Sequence, residues 1–343
     1  MRTRLKWLSL VLAVIFVIIL VLKAGDLLTS KTLTPKVLII TMFQNPPDAS
    51  PGEARTWLEQ DKLDYKLEIP GSFSPVYYNR QKDQALVITG MGKANATATL
   101  MALGLSDKLD LRKTYFIVAG IAGTPPKKAT IGTVAWAQWV VDTDLAHEID
   151  LRLLPQDWKY PYFHLGASQP WAPGWTTGTE VYQLNPKLQD IAYQLTRNLQ
   201  LADSLKAQEY RKLYPYPAAQ QAPKVVKGDS VTSDTYWHGT LFSDWATWWV
   251  QKFTNGQGSY YMTAMEDNAI LTALHRLAAA GKIDVDRIMV LRAAANFDQT
   301  YPLGSDVVSL NADTGGYLIA VHNAYLVGST MVKHIISHWS EFK

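Results

Sequence analysis

Compact apolar runs alternate along this chain with stretches of helical period. Val37–Thr41 (VLIIT), Ala85–Thr89 (ALVIT), Tyr115–Ala119 (YFIVA), Thr133–Val141 (TVAWAQWVV) and Arg287–Ala293 (RIMVLRA) read as strands buried on both faces. Between and after them, Lys93–Leu105, Asn185–Leu199, Met265–Ala280 and Thr314–His338 place apolar or small residues three and four apart, the third stopped by Gly281. Strands alternating with helices predict an α/β fold whose sheet is mostly parallel and covered on both faces. Ligands of such sheets bind beyond the carboxyl ends of the strands, so the residues after each strand carry the most functional weight.

Two stretches lack a period. Asp144–Gly178 holds four prolines and three tryptophans and reads as an ordered insertion over one face; Tyr214–Pro223 reads as a surface loop. No internal repeat or composition shift divides the body, so residues 37–343 are expected to form one domain.

The chain opens differently. From Trp7 to Leu22 only Ser9 is not apolar, and Arg2, Arg4, Lys6 and Lys23 flank the run. Basic residues before an apolar run hold the N-terminus on the cytoplasmic side. Leu22 two positions before Ala24 is a poor signal-peptidase site, which favours an uncleaved anchor. Residues 1–28 are therefore expected to be a membrane anchor or signal segment and 29–36 a linker. The body would lie outside the inner membrane, on its periplasmic or extracellular face, anchored by residues 7–22.

Charge follows the same division. Four of the 33 basic residues lie in the first 23 positions, which hold no acid; the other 29 face 30 acidic residues. A near-neutral body without a basic block does not suit a nucleic-acid partner. Cysteine is absent, which excludes thiol nucleophiles, Cys-ligated zinc, iron–sulfur clusters and disulfides. The chain has no HExxH, GxSxG, Walker A or GxGxxG motif, its seven histidines are scattered, and no metal or cofactor is expected.

Five strand-end segments remain, in a fixed order: Val87–Ala96 (VITGMGKANA), Val118–Thr124 (VAGIAGT), Lys227–Ser230 (KGDS), Met262–Asp267 (MTAMED) and Val290–Asp298 (VLRAAANFD). As an ordered set they resemble the purine nucleoside phosphorylase and nucleosidase superfamily, and within it the purine nucleoside permease family, from about Pro35 to the C-terminus. The resemblance implies a three-layer α/β/α nucleoside phosphorylase-like fold with a mixed, mostly parallel sheet, preceded here by the N-terminal hydrophobic helix. It implies a purine nucleoside as ligand, inorganic phosphate as an optional co-substrate, and a homo-oligomer as one assembly open to such a fold.

The residues carry these roles to different degrees. Gly90, Gly92, Gly120 and Gly123 read as glycine turns whose N–H groups approach an anion or ribosyl oxygen, or as tight turns with no ligand. Glu266 precedes Ala269 and Ile270 by three and four positions, which turns it towards an apolar face; the resemblance implies that Met265 and Glu266 hold the sugar, against a plain first-turn glutamate. Arg292 lies inside a strand and must be paired or touch an anion; the resemblance implies phosphate contact or orientation of Glu266. Asn296 stands where nucleosidases carry the acid that protonates the purine, so it would stabilise the departing base by hydrogen bonding, with Asp298 as substitute acid. The resemblance implies that Asp229 lies near the base, against a plain Gly-Asp turn residue. The resemblance implies a water-activating glutamate after the first strand, for which Glu53, after a proline-rich loop, is the candidate, against a plain helix-start residue. Val118 and Ile121 replace the Arg and Ser with which related phosphorylases often hold phosphate.

The expected function is purine nucleoside binding with cleavage of the N-glycosidic bond, by phosphate or by water. A non-catalytic binding protein that serves nucleoside transport with a membrane partner is the competing class, and a different N-riboside is a third substrate possibility.

Overall fold

The computed structural model describes residues 32–342, so the apolar run at 7–22 and its anchoring role lie outside the described residues. In chain order the elements begin with strand β1 (Val37–Thr41), helix α1 (Arg55–Gln60), β2 (Tyr65–Leu67), β3 (Val76–Tyr78), β4 (Gln84–Ile88), α2 (Lys93–Leu105) and β5 (Tyr115–Thr124). Then come β6 (Val134–Trp136), β7 (Trp139–Asp142), β8 (Ala146–Glu148), β9 (Tyr162–His164), β10 (Val181–Gln183), α3 (Pro186–Thr196) and α4 (Leu205–Arg211). The last third holds β11 (Val225–Lys227), β12 (Asp229–Thr232), α5 (Thr240–Phe253), β13 (Tyr260–Ala264), α6 (Asp267–Ala279), β14 (Ile288–Phe297), α7 (Asp306–Leu310), α8 (Tyr317–Ser337) and α9 (Trp339–Phe342).

Twelve strands form one mixed sheet. Its centre is parallel: β5 lies between β1 and β14, and β4 lies beyond β1. Antiparallel pairs finish the edges, β2 on β3 on β4 at one side and β10 on β7 at the other. Residue period two divides the core between the faces. Leu38, Ile40, Val87, Phe116, Val118 and Val290 pack under α2 and α6, while Val37, Ile39, Leu86, Ile117, Met289 and Leu291 pack under α3 and α8. That is why the strands read as unbroken apolar runs: both faces are covered.

Local chemistry sets the helix ends. Asn185 accepts from the N–H groups of Lys187 and Leu188 and Pro186 takes the first helical position, so α3 starts there. Gly281, at φ +70°, follows the end of α6 as expected.

The structure corrects several sequence readings. The second glycine segment is no turn, because β5 runs through Gly120 and Gly123 to Thr124. Asn296 lies within β14, beside a register shift between Ala294 and Asn296, and not after the strand. Thr133–Val141 splits into β6 and β7 because the Asp229 carboxylate accepts from the N–H groups of Gln138 and Trp139, 3.0 and 2.8 Å away, and breaks the run. Tyr214–Pro223 is a turn-rich loop with Pro215, Pro217, Gln220, Gln221 and Ala222 exposed, as expected, and the buried Tyr214 and Ala219 pin it to the body. Leu33 is buried and bridges Leu109, which brings the end of the expected linker into the folded body. Asp144–Gly178 is an ordered insertion that contains the two-stranded β8–β9 sheet. Among the described residues no helix is long and apolar enough to cross a membrane.

Candidate active site

The carboxyl ends of β1, β5, β13 and β14 converge on a pocket of about 260 Å³. Beyond β1 the chain leaves at Met42, makes the proline-rich loop and returns at Glu53. The return is close, because a side chain on Gly52 would meet the backbone of Phe43, Gln44 and Asn45. Glu53, 4% exposed, then accepts from the Met42 N–H (2.8 Å) and the Ile121 N–H (2.8 Å). Burial pushes its carboxyl up to about 7, with Glu266 adding to the rise and Arg292 opposing it.

Arg292 sits in the middle of β14 and is buried. Its Nε donates to Asp267 Oδ1 at 2.9 Å, and its Nη2 to the same oxygen at 2.5 Å and to Glu266 Oε2 at 3.1 Å. Its Nη1 donates to the Ile121 carbonyl (3.0 Å) and stands 3.8 Å from Glu53. A buried guanidinium needs such partners, and here two carboxylates and a carbonyl take most of its donors. Ser230 Oγ donates to the other Asp267 oxygen at 2.6 Å, and the Gly92 N–H donates to Glu266 Oε1 at 3.1 Å. Glu266 is not on α6 but immediately before it, at the N-cap position, where Arg292 and Gly92 grip both oxygens.

At the opposite wall Asp298, 1% exposed, accepts from Tyr260 Oη at 2.7 Å, while its Oδ1 has no partner. Burial pushes this carboxyl up to about 7 against the Tyr260 hydrogen bond. Asn296 lines the pocket next to it, with Nδ2 donating to the Phe297 carbonyl at 2.9 Å. Tyr236 and Trp237, from the loop after β12, and Phe43, Met91 and Met265 supply apolar wall.

Of the expected site residues, Glu53, Gly123, Met265, Glu266, Arg292, Asn296 and Asp298 line this one pocket. Gly90 and Gly92, at φ +80° and +87°, carry Met91 into its wall. Gly120 is not in the pocket lining, and a Cβ there would collide with Met42, Glu53 and Arg292. Asp229 does not line the pocket: Gln138, Trp139 and Ser259 N–H groups consume its carboxylate in the β6–β7 break. Sequence reasoning gave Asp267, Ser230 and Tyr260 no role. That Arg292 needs a further acceptor was legible, since its five N–H donors exceed what one carboxylate can take, but the residue that supplies it was not.

The family model described as purine nucleoside permease (NUP) matches residues 34–343. A probable purine nucleoside permease of Schizosaccharomyces pombe is 34% identical over 333 residues, 93% of this chain and 94% of that protein. The chain belongs to the purine nucleoside permease family. A purine nucleoside permease of Candida albicans is 36% identical over 317 residues, 90% of this chain and 76% of its own length. In fold, this family member is similar to the futalosine hydrolase of Helicobacter pylori, with a TM-score of 0.55 and 14% identity over 88% of this chain and 98% of that one. The 5′-methylthioadenosine/S-adenosylhomocysteine nucleosidase of the same bacterium gives 0.54 and 13%, over 89% and 100% of the two chains. The expected α/β architecture with a mixed central sheet is thus the architecture found, and the resemblance to nucleoside-cleaving enzymes holds at the level of fold.

Proposed function

We propose that this pocket binds a purine nucleoside and hydrolyses its N-glycosidic bond, with water as the nucleophile. The observation that carries the reading is the buried Glu53, held by two backbone N–H groups with its carboxyl near 7, on the same pocket as Glu266 and Asp298. Fixed by Arg292 and Gly92, Glu266 accepts hydrogen bonds from the ribose hydroxyls. Ionised Glu53 takes a proton from water as the water oxygen bonds to C1′. The C1′–N9 bond breaks with its electron pair going to the purine, and protonated Asp298 gives that base a proton while the Asn296 amide supports it. Two carboxyls near 7, one needed ionised and one protonated, suit acid–base work at neutral pH.

Water is favoured over phosphate by charge. Glu53, Glu266 and Asp298 line the pocket, and Arg292, its cation, is spent on Asp267, Glu266 and the Ile121 carbonyl. An incoming phosphate dianion would meet carboxylates and a guanidinium already committed to two of its own.

A second reading, nucleoside binding without turnover in the service of transport, is favoured by the amide at Asn296 and by the family the chain belongs to. In either reading the apolar run at 7–22 would attach the body to a membrane, and one such segment offers no path for a solute without a partner. Calorimetric titration of inosine, adenosine and guanosine into wild-type protein and Glu266→Gln tests the binding both readings share. Saturable binding that falls at least about tenfold in the variant supports the sugar assignment; equal affinity contradicts it.

A further inference from the structure

On the outer side of the Ser233–Trp237 loop lies a second cavity of about 200 Å³, for which the nucleoside reading has no use. Its wall is an arc of rings: Trp245 packs on Tyr162 (centroids 4.7 Å apart), Tyr162 on Phe242 (6.1 Å) and Phe242 on Trp237 (6.2 Å). The exposed carboxylates Asp144 and Glu148 complete the lining, and no Lys or Arg takes part in it. Asp142 and Asp234 stand behind Asp144. Lys93 is the cation among them, with Nζ paired to Asp142 and Asp144 and its N–H on Asp234, so the local balance is negative.

Two further observations point to a ligand. The indole N–H of Trp245, a residue only 2% exposed, is unpaired, and so is that of Trp237. Unsatisfied buried donors are uncommon in folded proteins. Aromatic faces with nearby carboxylates attract an organic cation through the ring quadrupole, and indole N–H groups suit a hydrogen-bond acceptor on the same molecule.

We propose that this cavity is a binding site for a small organic ammonium compound that also carries a hydrogen-bond acceptor. The rings of Tyr162, Phe242 and Trp245 and the Glu148 carboxylate hold the ammonium end. Trp237, Ser233 and Thr235 are shared with the wall of the nucleoside pocket, so the two sites are neighbours across one loop.

Equilibrium dialysis of labelled choline against the full chain tests this, with 3,3-dimethylbutan-1-ol, its uncharged isostere, as competitor. The proposal predicts saturable choline binding, competition by the isostere at least about tenfold weaker than by unlabelled choline, and a loss of about tenfold in both Glu148→Gln and Phe242→Leu. Non-saturating uptake, an isostere that competes as well as choline, or wild-type binding in both variants overturns it. Neither substituted residue lines the nucleoside pocket, so nucleoside titration of the same variants reports separately on that site.

Discussion

Glu53 and Arg292 stand 3.8 Å apart at the bottom of the pocket, yet Arg292 gives its hydrogen bonds to Asp267, Glu266 and the Ile121 carbonyl. Glu53 is therefore close enough to a cation to feel it and too poorly paired to be fully ionised at neutral pH. A structural salt bridge would have drawn its carboxyl down; burial instead carries it up to about 7.

Replacing Glu53 by Gln keeps the shape and removes the base. The expected result is a fall in kcat of at least about 100-fold, the usual reach of general-base catalysis, with nucleoside affinity changed less than about threefold. Single-turnover base release together with calorimetric affinity checks it, and a loss confined to affinity would assign Glu53 to binding alone.

The rate should show a bell-shaped pH profile centred near 7, because Glu53 must be ionised and Asp298 protonated. Asp298→Asn should remove the alkaline limb and leave the acid limb in place. Stability follows with a definite sign. Both folded carboxyls hold their protons to higher pH than in the unfolded chain, so their contribution is full below the ordinary carboxylate range and is lost as pH rises to about 7. The slope is about 1.4 kcal/mol per pH unit for each group between its two pKa values. Melting curves from pH 4 to 8 should show the Glu53→Gln, Asp298→Asn double variant losing less stability over that window than the wild type.

Asp267→Asn should be among the most damaging single changes. It leaves the buried Arg292 short of a charge partner and releases Ser230, an effect of about 3–5 kcal/mol by analogy with broken buried ion pairs. Denaturant unfolding measures it; a loss under about 1 kcal/mol would mean that Glu266 alone can hold the guanidinium.

Gly120→Ala tests the packing behind the site. The added methyl has nowhere to go but into Met42, Glu53 and Arg292, so a loss of about 1–3 kcal/mol and a displaced Glu53 are expected. Thermal melting and the pH profile report both.

Much of this arrangement was legible in the sequence. Strands covered on both faces announce themselves as unbroken apolar runs, and Arg292 could be named because a cation inside such a run needs a partner, whereas Glu53, Glu266, Asn296 and Asp298 took their roles from the resemblance of the strand-end segments. The misreadings share a cause. Gly120 and Gly123 were taken for a turn because glycine usually marks one, whereas here the fold needs missing side chains where β5 passes Arg292 and Thr263. Asp229 was drawn towards the base by the resemblance, while its backbone partners, Gln138 and Ser259, are 91 and 30 residues away in the chain. Asp267, at the start of α6, was overlooked because its partner Arg292 lies 25 residues on, in β14. Pairings of that kind are fixed by topology, and no local pattern records them.

The central claim, water as nucleophile, is tested most directly by incubating the protein with inosine, adenosine and guanosine, with and without phosphate, and identifying both products by chromatography. The account predicts free base and free ribose at a rate that phosphate does not raise. Ribose 1-phosphate formed only when phosphate is present, or saturable nucleoside binding with no base released under either condition, would contradict it.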